Sequence, residues 1–154
     1  MSHWFDAQAA KTRAPSPERQ RQIQQIKRAL GEGDREVHIS LTAIEGYARA
    51  LIKSGPDPKY RAGVSPLELE YFAKLRADLL RARDRLDALH TGLRAERELS
   101  DALTESAAAV DQWHRGMSTT NPATLDGAQR ATQRHFASAD RHAKAGLANL
   151  EIGR

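Results

Sequence analysis

Six histidines are the residues in this 154-residue chain best suited to chemistry, because imidazole both ligates metals and moves protons near neutral pH. His135 and His142 stand seven apart, which puts them on one side of a helix, with Asp140 nearby; Asp111 and His114 stand three apart. A metal site inside a helical bundle needs ligands converging from facing helices, commonly glutamates and Glu-x-x-His pairs. The sequence contains neither Glu-x-x-His nor His-Glu-x-x-His. His135 and His142 fall beside the apolar stripe of their helix rather than on it, so they read as surface imidazoles. No metal and no cofactor are expected.

Other catalytic patterns are missing as well. Cysteine is absent, which removes thiol nucleophiles, zinc ribbons and a disulfide framework. No glycine-rich phosphate loop and no nucleophile elbow occur. Gly31-Glu32-Gly33 breaks a helix and has no strand before it. The expectation is a protein that is not an enzyme.

Binding chemistry concentrates at the N-terminal end. The whole net charge of +4 arises within residues 1–31, through Lys11, Arg13, Arg19, Arg21, Lys27 and Arg28 set against Asp6 and Glu18; the rest is balanced. Trp4 and Phe5 stand at the tip of this basic arm. Such a segment suits an acidic or grooved protein partner, nucleic-acid phosphates or an anionic membrane surface. Protein docking is the preferred reading and nucleic acid the alternative. Trp113 and Met117 end an apolar stripe, where they serve the core or, if exposed, a partner-binding patch. The candidate partner-binding residues are therefore Trp4, Phe5, Lys11, Arg13, Arg19, Arg21, Trp113 and Met117.

The elements that must position these residues are helices. An apolar residue recurs every three or four positions at Phe72, Leu75, Leu79, Ala82, Leu86, Leu89 and Leu93. The spacing predicts a helix over 66–92, opened by a Ser65–Glu68 capping box with Pro66 in its first turn. It either continues to 117 or breaks near Thr91-Gly92, because the step from Leu93 to Leu99 fits neither three nor four. A second stripe runs through Leu99, Leu103, Ser106, Val110, Trp113 and Met117. Asn121-Pro122 starts a last helix to about 150, with Leu125, Thr132, Phe136, Ala139, Ala143, Leu147 and Leu150 on one face. Earlier, Ser16-Pro17 opens a helix over 17–30, and Asp34 caps another over 34–53 with Val37, Leu41, Ile44, Ala48 and Leu51 inward. Val37 to Leu41 also alternates like a strand, and a ribbon-helix-helix arrangement over 36–41 is the route by which that segment would meet DNA.

Composition agrees with a slender helical object. Leucine, isoleucine, valine and phenylalanine make up only 28 residues, whereas alanine contributes 26. Alanine is the best helix former and lets helices approach closely. The fold expected is an all-α, elongated bundle of four to five helices with coiled-coil-like heptad packing, spanning 16–154 behind an arm at 1–15. Without a signal-like apolar run or a stretch of about 20 apolar residues, a cytoplasmic protein is expected, with signal-independent export as the other route. The function expected is non-enzymatic protein–protein interaction or assembly by helix–helix docking, homo-oligomerisation first.

Overall fold

The computed structural model describes residues 15–32, 66–119 and 121–154. The arm at 1–14, the expected helix at 34–53, the 36–41 ribbon segment and Ser65 lie outside these residues. Among the described residues all regular structure is helical. Four α-helices form it: α1 (Pro17–Lys27, extended by one π turn at Arg28–Glu32), α2 (Pro66–Asp87), α3 (Arg94–Ser118) and α4 (Pro122–Glu151).

Local chemistry explains the boundaries. The Ser16 hydroxyl accepts the Arg19 backbone N–H at 3.2 Å, and the Asn121 carbonyl accepts that of Ala123 at 3.0 Å. Each cap is followed by proline at the first helical position, where its missing N–H costs nothing. α4 closes with Gly153 at φ +73°, its N–H donating to Leu150 while the Arg154 N–H reaches Asn149 at 2.8 Å. That paired reversal satisfies the last carbonyls of the helix.

The stripe from Phe72 to Leu93 does not run along one helix, because α2 stops at Asp87. His90 at φ +49° and Gly92 at φ +71° turn the chain through left-handed backbone. Glu96, at the third position of α3, anchors this turn. One carboxylate oxygen accepts from the Thr91 N–H at 3.0 Å, the Thr91 hydroxyl at 2.7 Å and the Gly92 N–H at 3.2 Å. A carboxylate there also meets the positive end of the helix dipole.

The turn folds α3 back along α2. Arg76 meets Asp111 at 3.5 Å, Asp87 accepts from the Ser100 hydroxyl at 2.5 Å, and the Phe72 and Trp113 rings pack 4.0 Å apart. Phe72, Leu75, Leu79, Ala82 and Leu86 are buried here with Leu99, Leu103, Ala107 and Val110. α1 joins the same core through Ile23, Ile26 and Ala29, its π turn lying against α2.

α3 buries a second face against α4. Ala95, Ala102, Ala109 and Gly116, seven apart, are all buried. Ala128, Ala139 and Gly146 are buried on α4. A β-carbon on Gly146 would fall 2.5 Å from Leu99 Cγ, and one on Gly116 would fall 3.3 Å from the Ala128 β-carbon. Small residues therefore set how closely these helices approach. α3 is the middle helix, with large apolar residues toward α2, a small-residue seam toward α4, and Leu99 at the border where Gly146 packs on it.

Candidate functional site

The α3–α4 seam brings together charged groups that lie far apart in sequence. His135 Nδ1 sits 2.5 Å from Glu105 Oε2, and His142 Nδ1 sits 2.6 Å from Glu98 Oε2. Both glutamates and both histidines are seven apart, so two antiparallel helices align them as two rungs. Each imidazole N–H donates to a carboxylate. Glu98 also meets Arg94 at 3.6 Å. The hydrogen bond from His142 holds the Glu98 carboxyl below its ordinary value; burial opposes this, while the charges of His142 and Arg94 reinforce it.

The histidines are thus half-buried partners of glutamates rather than free surface groups. The signal was present in sequence as matched seven-residue spacings, but pairing them requires the alignment of α3 with α4. A rung supplies two donors, fewer than a metal site needs, and among the described residues no group of three or more His, Asp or Glu is placed to hold a metal ion. The rungs can join two helices.

The described residues among the expected partner-binding set, Arg19, Arg21, Trp113 and Met117, do not form one patch. Trp4, Phe5, Lys11 and Arg13 lie outside the described residues. Arg19 and Arg21 are exposed on α1, and the Arg19 stem passes 3.7 Å from a β-carbon built on Gly153. Trp113 is half-buried against Phe72, and Met117 is half-buried in the last turn of α3. Because the Arg154 carbonyl accepts the Ala95 N–H at 3.1 Å, Arg19 marks the start of α3. Trp113 and Met117 mark its far end, about 30 Å away at 1.5 Å per residue.

Surface ion pairs at four-residue spacing close on α4, where Arg130 meets Asp126 and Lys144 meets Asp140. Arg94–Glu98 closes, but Arg83 takes Asp84 at 3.1 Å rather than Asp87, and Arg81 takes Asp78. Among the described residues the exposed large apolar side chains are Leu147, 56% exposed, and Ile152, 61% exposed, five residues apart at the end of α4. Leu147 was expected inward. The close seam through Gly146 and Ala139 turns it out instead. Among the described residues no helix is long and apolar enough to cross a membrane. No protein-family model, curated protein or solved structure matches the chain.

Proposed function

We propose that this is a non-enzymatic interaction protein that works by helix-on-helix docking, with a second copy of itself as first partner. The exposed pair Leu147 and Ile152 carries this reading. In a chain so poor in large apolar residues, leaving two of them in water at one end of one helix is a cost that docking would remove. Among the described residues α4 packs chiefly on α3, with α1 beside Gly153 at its end, and Leu147 and Ile152 stay exposed there for another helix to meet. Docking there would extend the seven-residue spacing into coiled-coil-like packing, and residues 34–53, amphipathic by sequence, would supply a fifth helix. The cytoplasm is the compartment proposed, and no cofactor enters the reading.

Sedimentation equilibrium on the full chain and on a chain lacking residues 1–15 tests where association is seated. Each should show a mass above that of its own single chain, 17.1 kDa for the full chain, that rises with concentration. Association lost with the arm would move the seat to Trp4 and Phe5 and overturn the assignment to α4.

A further inference from the structure

We propose that the outer face of α4 binds the phosphate backbone of nucleic acid. α4 carries four arginine and lysine side chains, Arg130, Arg134, Arg141 and Lys144, and all four are exposed. At 100° per residue they fall within an arc of about 80°. That arc lies opposite the seam formed by Ala128, Ala139 and Gly146. The four positions span 14 residues, about 21 Å along the helix.

α4 also exposes Asp126, Asp140 and Glu151, but its four cations share one arc. The exposed residues of α2 mix Glu70, Lys74, Arg76, Asp84 and Arg85, and those of α3 mix Arg94, Arg97, Asp101, Asp111 and Arg115. Asp126 and Asp140 hold Arg130 at 2.9 Å and Lys144 at 2.8 Å from the edge of the arc. Arg134 and Arg141, in the middle, have no acidic partner among the described residues. Glu98 and Glu105 of α3 pair with His142 and His135 at the seam, away from the arc.

The chemistry of the arc favours phosphate over protein. It contains no large apolar side chain, and a protein interface needs an apolar centre. Between the arginines stand Ala137 and Ala148, which let a backbone come close. Arginine presents a planar fork that fits phosphate oxygens in pairs, and a row of cations suits a row of anions. Such a surface reads charge and no base sequence.

Fluorescence anisotropy on two unrelated fluorescein-labelled 20-base-pair duplexes, from 50 to 200 mM salt, tests this. The full chain should bind both alike, with log K falling against log salt by a slope of about −2 to −3.6, since each neutralised phosphate contributes about −0.9. Arg134→Glu/Arg141→Glu should weaken binding at least tenfold at 50 mM salt and flatten the slope, and Arg134→Ala/Arg141→Ala should do so less. Arg19→Glu/Arg21→Glu should have the smaller effect. Circular dichroism should be unchanged, because both arginines are exposed. Binding unchanged in the α4 variants, or absent in the full chain at 50 mM salt, would overturn the proposal. Equal displacement by polyglutamate would overturn it in favour of an acidic protein partner. Its failure would leave helix docking through Leu147 and Ile152 untouched.

Discussion

Glu98 binds a proton less readily in the folded chain than in the unfolded one, because His142 donates to its charged form. A carboxyl lowered by folding contributes stability above its unfolded value and loses that contribution as pH falls through its folded value. Urea unfolding across the acid range should therefore show a loss of stability that is shallower in His142→Ala than in the wild type. Equal acid slopes in the two chains would remove the rung as an energetic link. Glu96 acts differently, since one oxygen collects three donors from the 91–92 turn. Glu96→Ala strands those donors and should destabilise by about 1–3 kcal/mol in urea titration. A capping role for Ser16 and Asn121 was legible from their place before proline. The Glu96 anchor was not, because its partners lie backward across a turn whose position depends on two left-handed residues.

At the scale of the element, two glycines of α4 should respond in opposite directions to the same change. Gly146→Ala places a methyl group 2.5 Å from Leu99 Cγ and 3.2 Å from the Leu99 backbone nitrogen, and Leu99 is itself buried. Overpacking of this kind costs about 1–3 kcal/mol, which outweighs the helix-propensity gain of about 1 kcal/mol. Gly127 has nothing within 4 Å of an added β-carbon, so Gly127→Ala should stabilise by about 1 kcal/mol. Thermal melting of the two variants reads both signs. The leucine face of α3 was visible in sequence because large apolar residues mark it. The second face, Ala95, Ala102, Ala109 and Gly116, is as regular but made of residues that also suit solvent, so hydropathy alone could not identify it. The same seam explains Leu147: small residues decide the closest approach of two helices, and α4 rotates to bring them inward.

For the whole molecule, the all-helical bundle followed from alanine content, capping signals and stripe spacing, and the described residues have that character. The order of contact did not follow, because stripes say that a helix has an inner face and not which neighbour covers it. Docking through the exposed Leu147 and Ile152 at the end of α4 is tested most directly by one comparison. Sedimentation equilibrium should give the wild-type chain a mass that climbs above 17.1 kDa with concentration, and Leu147→Asp/Ile152→Asp the mass of one chain throughout, with unchanged circular dichroism. A wild-type chain that stays at 17.1 kDa at high concentration, or a double variant that associates as well as the wild type, would contradict it.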